Sequence, residues 1–198
     1  MMVKVCGITN IEDAAAAIDA GASALGFNFY PESPRYIDPE TVAGIASRLV
    51  PGVLKVGVFV NQPAGSLKDI VRAAGLDIVQ LHGASFAPSS VRFWRAVRMR
   101  PDFDFASLDP LEAEAFLIDA FSGEAWGGTG RTWDWTLAAG VNRRLILAGG
   151  LDATNVREAI RVARPWGVDA CSRIESSPGK KDHAKMRAFV EAALAEQI

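Results

Sequence analysis

The sequence has few residues of the kinds that bind metals or form disulfides. Among its 198 residues are two cysteines and two histidines. Cys6 and Cys171 lie far apart in the chain, and neither histidine has another ligand at the spacing typical of a metal site. We therefore expect no metal ion, and we expect both thiols to be free in a reducing, cytoplasmic compartment.

A strong net charge and long apolar runs are also missing. The formal net charge is -2, which gives no electrostatic reason to expect binding to nucleic acid or to an anionic membrane. No apolar run reaches membrane-spanning length, and no charged leader with an apolar segment precedes the first strand. A hydrophobic fraction of 49% and a charged fraction of 22% are typical of a soluble globular protein, here expected to form one domain over 1–198.

Short apolar strands alternate with amphipathic helices along the whole chain. The first predicted strand ends at Cys6, and seven more follow at 24–29, 54–60, 78–81, 93–97, 116–119, 145–148 and 168–171. Such alternation indicates a parallel sheet covered by helices, and eight strand–helix units favour a small, single-domain α/β fold, the (β/α)8 TIM barrel. A doubly wound open sheet is the alternative, but the glycine fingerprint that usually follows its first strand is missing.

Capping residues predict where several helices begin. Asp38 followed by Pro39 predicts one helix start, and Ser66 with Asp69 three residues later predicts another. Residues 101–114 are compatible with a helix but have a weak apolar pattern. The connection between the strands at 78–81 and 93–97 has room for a brief helix at most.

Two ionisable side chains stand at the ends of predicted strands. Cys6 ends the first strand and Asp119 ends the strand at 116–119. In parallel α/β proteins the carboxyl ends of the strands carry the chemistry. A thiolate at Cys6 could act as a general base, and a protonated Asp119 could act as a general acid. The structural alternatives are a buried apolar cysteine and a helix-capping or salt-bridged aspartate.

Two further side chains are candidates for binding a ligand. Arg35, on the loop after the second strand, could bind a carboxylate or a phosphate through its planar guanidinium group. A solvated arginine is the alternative. His82 follows the fourth strand, and we favour a hydrogen-bonded, site-lining role for it over catalysis.

Glycine-rich loops follow the last strands. Gly149 and Gly150 come after the seventh strand, and the loop 172–179 comes after the eighth. Glycines let backbone N–H groups approach an anion, and TIM barrels often bind phosphate at these two loops. The pattern therefore favours a phosphosugar ligand, although glycine pairs also make simple tight turns.

An ordered set of motifs resembles the phosphoribosylanthranilate isomerase family of tryptophan biosynthesis, over nearly the whole chain. The motifs are Lys4-Val5-Cys6-Gly7-Ile8-Thr9, the run 26–36 from Gly26-Phe27-Asn28 to Pro34-Arg35-Tyr36, Gln80-Leu81-His82-Gly83, Gly127-Gly128-Thr129-Gly130 with Asp134-Trp135, Gly149-Gly150-Leu151, and Pro178-Gly179-Lys180-Lys181-Asp182. Each motif alone is unspecific, but the ordered set is highly specific.

The resemblance implies an Amadori rearrangement of N-(5-phosphoribosyl)anthranilate without a cofactor. It implies that Asp119 is the general acid, that Cys6 is the general base, and that Arg35 helps to bind the anthranilate carboxylate. The remaining candidates for substrate binding are on or beside the rim loops: His82, Gly127, Gly128, Gly149, Gly150, Ser172 and Arg173. We expect a small phosphosugar as the partner, and a monomer or a homodimer.

One segment departs from the family pattern. Where the family usually has Ser-Ser-Gly-Val-Glu, this chain has Cys171-Ser172-Arg173-Ile174-Glu175. Arginine in place of glycine predicts either a changed loop or a strained residue, and it adds a cation beside the expected phosphate site. Because the last strand of a closed barrel pairs with the first, Cys171 should be a near neighbour of Cys6, with both reduced.

Three other functions remain as alternatives. The first is another phosphoribosyl aldose–ketose isomerase of the same fold, either of the histidine-pathway type or dual-specific. The histidine-pathway family resembles a design with two aspartates, and a cysteine at the end of the first strand argues against it. A non-catalytic phosphosugar-binding barrel would make the pairing of Cys6 with Asp119 a coincidence. A thiol-dependent redox protein would have only the distant Cys171 as a resolving cysteine.

Overall fold

The computed structural model describes residues 1–85, 90–100, 102–109, 111–120 and 132–196. Within these ranges, eight parallel strands close into a barrel in sequence order. They are β1 (Met2–Cys6), β2 (Ala24–Asn28), β3 (Leu54–Val60), β4 (Ile78–His82), β5 (Phe93–Met99), β6 (Ala115–Ala120), β7 (Leu145–Leu147) and β8 (Gly167–Ala170). Pairing of β1 with both β2 and β8 closes the ring, so the predicted (β/α)8 barrel is confirmed.

The described residues contain fewer helices than eight complete strand–helix units would have. The described ranges contain five, α1 (Ile11–Asp19), α2 (Pro39–Ala46), α3 (Ala64–Ala74), α4 (Val156–Ala163) and α5 (His183–Ala195). After β5 and β6 the described residues form only 3₁₀ turns, Phe105–Leu108 and Trp135–Ala138. The prolines at 101 and 110 disfavour a helix that continues across either position, because proline lacks a backbone N–H and restricts the residue before it.

The predicted cap at Ser66 is wrong. α3 begins two residues earlier, at Ala64, after Pro63 in an extended conformation and without a side-chain cap. Ser66 lies in the first turn, where its hydroxyl donates to the carbonyl of Pro63 at 3.0 Å. By contrast, Asp38 caps α2 as predicted, accepting from the backbone N–H of Thr41 at 2.9 Å.

Alternation along the strands divides the core into two layers. Val3 and Val5 of β1 pack outward against the helices, whereas Met2 packs in the barrel interior. The interior residues are Met2, Ala24, Val56, Ile78, Trp94, Ala115, Leu117, Ile146 and Ala148. Full burial of each large apolar side chain stabilises the fold by about 1.5–3 kcal/mol. The same period of two directs Cys6 and Asp119 into the interior at the carboxyl rim.

After β8 the chain forms a small hairpin, β9 (Glu175–Ser177) with β10 (Lys180–Lys181), that is fixed to the barrel. The buried carboxylate of Asp13 in α1 accepts from the backbone N–H of Lys181 at 2.8 Å. It also lies 2.8 Å from Nε2 of His183 at the start of α5. These two contacts of Asp13 hold the hairpin, with Glu175 and Lys181, at the rim beside Cys171. None of the helices in the described ranges has the length and apolar character needed to cross a membrane.

Candidate active site

A pocket of about 420 Å³ opens at the carboxyl rim of the barrel. Every predicted site residue that the structure describes lines it: Cys6, Arg35, His82, Asp119, Gly149, Gly150, Ser172 and Arg173. Gly127 and Gly128 lie outside the described residues. Residues separated by more than a hundred positions thus share one concave site, because parallel strands bring their carboxyl ends to the same rim.

Cys6 has an environment that stabilises its thiolate. The side chain of Cys171 donates a hydrogen bond to Cys6, and this bond is the main reason that the pKa of Cys6 lies well below its ordinary value. Burial opposes the shift, while the positive charge of Lys4 reinforces it. The complementary effect raises the pKa of Cys171, which keeps the proton. The predicted proximity of the two cysteines is therefore confirmed, and both are free thiols.

Lys4 is fully buried two residues before Cys6 on the same face of β1. Its ammonium group pairs with the carboxylate of Asp169 at 2.8 Å. Burial alone would lower the pKa of Lys4, but the charges of Asp169 and Cys6 raise it above its ordinary value. Burial raises the pKa of Asp169 to about 7, against the opposing effect of Lys4. Lys4 therefore supplies a fixed positive charge beneath the thiolate.

The pKa of Asp119 is shifted in the direction opposite to that of Cys6. Burial raises the pKa of its carboxyl group to about 6, although a hydrogen bond from the backbone of Ala120 opposes the rise. The negative charge of Cys6 contributes further in the same direction. A carboxyl group in this environment is protonated over a pH range in which an exposed aspartate is ionised.

Gly149 permits the close approach of the loop after β7 to Asp119. Its φ is +86°, and a Cβ atom there would lie 2.6 Å from the backbone nitrogen of Ala120 and 2.9 Å from Oδ1 of Asp119. Gly150 also has a positive φ, of 63°. Both positions therefore require glycine for conformational reasons, and Gly149 requires it for space as well.

His82 is a neutral, buried side chain of the pocket wall. Burial lowers its pKa to about 3, and the nearby positive charges of Lys4, Arg98 and Arg95 add to the effect. The side-chain nitrogen of Gln80 lies 2.9 Å from Nε2 of His82. An imidazole with so low a pKa stays uncharged at neutral pH, which fits a lining role rather than proton transfer.

Arg35 is held by a buried carboxylate. Glu175 accepts from Nε of Arg35 at 2.9 Å and from Nη2 at 2.7 Å, a bidentate pair. Lys181 binds the same carboxylate at 2.9 Å. Although burial alone would raise it, the pKa of Glu175 is lowered by these two cations. The sequence suggests no such partner, since Glu175 lies 140 residues from Arg35.

Arg173 lies in the 3₁₀ turn Ser172–Ile174 and does not have a positive φ. The strained conformation that was one expectation for this position is therefore wrong. Its guanidinium pairs with Asp152, with Nε at 2.6 Å from the carboxylate. The pair connects the loop after β8 to the loop after β7, and Arg173 adds a cation to the wall of the pocket.

Among the residues that the structure describes, no group of three or more His, Cys, Asp and Glu side chains could hold a metal ion. The pocket contains two ionisable groups, Cys6 with a lowered pKa and Asp119 with a raised pKa, beside the positive charge of Lys4. A closed parallel barrel with such a pocket at its carboxyl rim is typical of (β/α)8-barrel enzymes that act on small molecules.

Comparison with known proteins defines the family. The family model described as N-(5'phosphoribosyl)anthranilate (PRA) isomerase matches residues 3–192. The N-(5'-phosphoribosyl)anthranilate isomerase of Solibacter usitatus is 53% identical over 198 residues, with 98% of each chain covered. The chain belongs to this isomerase family, and it is accordingly an aldose–ketose isomerase of tryptophan biosynthesis.

Solved structures agree with this membership. The phosphoribosyl anthranilate isomerase from Thermotoga maritima superposes with a TM-score of 0.90 at 40% identity, and 98% of each chain is covered. A second structure, at 38% identity and a TM-score of 0.86, is a complex of the isomerase with reduced 1-(o-carboxyphenylamino)-1-deoxyribulose 5-phosphate. It also covers 98% of each chain.

Proposed function

We propose that this chain converts N-(5'-phosphoribosyl)anthranilate to 1-(2-carboxyphenylamino)-1-deoxyribulose 5-phosphate, with Asp119 as general acid and Cys6 as general base. One observation carries the assignment of roles. Two groups that line the same pocket have pKa values shifted in opposite directions, the thiol down and the carboxyl up. Such a divergence is how enzymes keep an acid and a base in their working states together.

Ring opening is the step assigned to Asp119. Its carboxyl group donates a proton to the ribose ring oxygen as the bond between that oxygen and the anomeric carbon breaks. The lone pair of the anthranilate nitrogen moves toward the anomeric carbon, which gives a protonated Schiff base. Burial supports this role because it keeps a proton on Asp119 up to a pH of about 6.

Proton abstraction is the step assigned to Cys6. Its thiolate removes the proton from the adjacent sugar carbon, and the electron pair moves into the Schiff base to give an enolamine. Tautomerisation of the enolamine places a proton on the former anomeric carbon and leaves a ketone. The rearrangement is redox-neutral overall, because hydrogen moves within the substrate. Lys4 supports the thiolate without itself transferring a proton.

Substrate binding is assigned to the pocket wall. Arg35, oriented by Glu175, would bind the anthranilate carboxylate. The loops after β7 and β8, with Gly149, Gly150, Ser172 and Arg173, would bind the phosphate through backbone N–H groups and one cation. His82 would line the site as a neutral group. The expectations of no cofactor and of a monomer or homodimer stay predictions.

The test is conversion of N-(5'-phosphoribosyl)anthranilate followed by the loss of its fluorescence. Wild type should turn over, and Cys6→Ala and Asp119→Asn should each lower kcat by about 10²- to 10⁴-fold. Arg35→Ala should act mainly on KM. Asp69→Asn, the same chemical change on an exposed side chain of α3, is the matched control and should leave kcat unchanged. Absence of turnover by wild type would refute the substrate, and full activity of Cys6→Ala would refute the mechanism.

A further inference from the structure

Two thiols lie side by side where the last strand meets the first. Val5 of β1 pairs with Ala170 of β8. Cys6 is the last residue of β1, and Cys171 directly follows β8 at the start of the 3₁₀ turn Ser172–Ile174. Both side chains line the pocket and are in hydrogen-bonding contact. We propose that Cys6 and Cys171 form a peroxide-reactive dithiol site, in which oxidation joins the two sulfur atoms as a reversible disulfide.

The backbone geometry suits such a bond. Neighbouring strands lie about 4.7–4.9 Å apart, and disulfides join Cα atoms about 4.4–6.8 Å apart. The pairing of Val5 with Ala170, one residue before each cysteine, therefore brings the two backbones together near this range. Gly7 leaves the space around them open, because a Cβ atom there would lie 3.0 Å from the sulfur of Cys171.

The surroundings of the pair favour reaction with an oxidant. The ammonium group of Lys181 lies 3.9 Å from the sulfur of Cys171, and Lys4 provides a second cation beside Cys6. Oxidation-sensitive cysteines are thiolates that solvent reaches and that have a resolving thiol nearby. Cys6 meets the first condition through its charge environment, and Cys171 meets the third. For the second, Cys6 is only 9% exposed, and that exposed part borders the open pocket.

The chemistry balances with a peroxide as the sole oxidant. The Cys6 thiolate attacks one peroxide oxygen, the O–O bond breaks, and an S–O bond forms. Sulfur is oxidised by two electrons to a sulfenic acid, and the peroxide is reduced to an alkoxide or hydroxide that takes a proton from solvent. The sulfur of Cys171 then attacks that of Cys6, and the displaced hydroxyl leaves as water with the thiol proton. The product is the disulfide.

The disulfide would also stop catalysis, and this consequence rests on the proposed function. A sulfur atom in a disulfide has no thiolate to act as a base, so oxidised enzyme should be inactive until a dithiol reductant restores Cys6. The cross-link itself does not depend on any catalytic role.

The test combines a chemical readout with an activity readout on the same native sample. Purified enzyme is reduced, freed of reductant, treated with hydrogen peroxide, alkylated and digested with trypsin. We expect a cross-linked pair of the peptides 5–35 and 162–173, lighter than their sum by two hydrogen atoms. Turnover should fall by at least about tenfold and recover with dithiothreitol.

Cys171→Ser is the matched variant, since serine can still donate a hydrogen bond to Cys6. Each variant is compared with its own untreated rate. Cys171→Ser should form no cross-link, and with continued peroxide its Cys6 should proceed to sulfinic acid that dithiothreitol does not rescue. If both wild-type thiols stay alkylatable, or if wild-type Cys6 is overoxidised as readily as in Cys171→Ser, the dithiol site is refuted. A cross-link formed with full activity retained would instead uphold the site and refute Cys6 as the base.

Discussion

Lys4 and Asp169 form an ion pair of 2.8 Å inside the barrel, directly beneath the thiol of Cys6. The lysine side chain is fully buried, and that of Asp169 is 9% exposed. Desolvating two charges is unfavourable, so the pair contributes little net stability. Its ammonium group, however, lies where it stabilises a thiolate at Cys6. We interpret the pair as an electrostatic support for the base rather than as a stabilising element.

Although the intact pair contributes little net stability, removing the ammonium group alone should destabilise the fold, and it should also destabilise the thiolate of Cys6. Lys4→Met leaves the carboxylate of Asp169 buried without a partner, and we expect a loss of about 3–5 kcal/mol in the free energy of unfolding. The pKa of Cys6 should rise, which the ultraviolet absorbance of the thiolate would report. Adding Asp169→Asn should recover most of the stability but not the low pKa of Cys6.

The surface pair of Lys55 with Asp77 at 2.7 Å is the control for that prediction. Both of its side chains are partly exposed, so Lys55→Met should cost at most about 1 kcal/mol. Equal losses of stability for Lys4→Met and Lys55→Met in urea unfolding would contradict the interpretation of the buried pair.

Gly149 provides a test of how closely the rim packs against Asp119. Gly149→Ala places a methyl group 2.9 Å from Oδ1 of Asp119, so we expect kcat to fall by about tenfold or more as the acid is displaced. Gly140 has a similar φ of +78°, with no atom within 4 Å of an added Cβ.

Gly140→Ala therefore has the conformational strain without the crowding. Gly140→Ala should lose about 1–2 kcal/mol of stability in thermal or urea unfolding, and Gly149→Ala should lose more, because its added Cβ would lie 2.6 Å from the backbone nitrogen of Ala120. Only Gly149→Ala should lose activity beyond the unfolded fraction. Matching activity in the two variants would show that the approach of Gly149 to the carboxyl group has no functional effect.

Glu175 should act as a positioning residue for Arg35. Glu175→Gln replaces the bidentate carboxylate by an amide, so the guanidinium loses its fixed orientation. We expect KM to rise by about tenfold, and by more than kcat falls, because a charge-assisted hydrogen bond contributes about 1.5–3 kcal/mol.

Glu114 forms the same bidentate contact with Arg92 on the surface, at 2.8 and 2.7 Å. Glu114→Gln therefore makes an identical chemical change away from the pocket, and its steady-state kinetics should match the wild type. A KM for Glu175→Gln that is also unchanged would argue against the positioning role.

The strands could be predicted because their residues alternate visibly between two environments. Val3 and Val5 against Lys4 and Cys6 already indicate a strand with one face in the interior, and the carboxyl ends then locate the pocket. Residues 101–114 are compatible with a helix but weakly patterned, and within 102–109 the described residues form only the 3₁₀ turn Phe105–Leu108.

The charged partners could not be predicted from the sequence. Lys4 pairs with Asp169, 165 residues away in the chain, and Arg35 pairs with Glu175, 140 residues away. Nothing local distinguishes these carboxylates from others in the chain. A lysine within an apolar strand was the available signal, since an interior charge requires a partner.

The pH dependence of kcat/KM tests the assignment of Cys6 as base and Asp119 as acid, because it reports the ionisation of the free enzyme. Activity requires Cys6 deprotonated and Asp119 protonated, so we expect a bell-shaped profile. The rate should fall above a pH of about 6 as Asp119 ionises, and its acid limb should lie well below the ordinary thiol pKa. A rate that instead rises through a pH of about 8.5, as an unperturbed thiol ionises, would contradict these two roles.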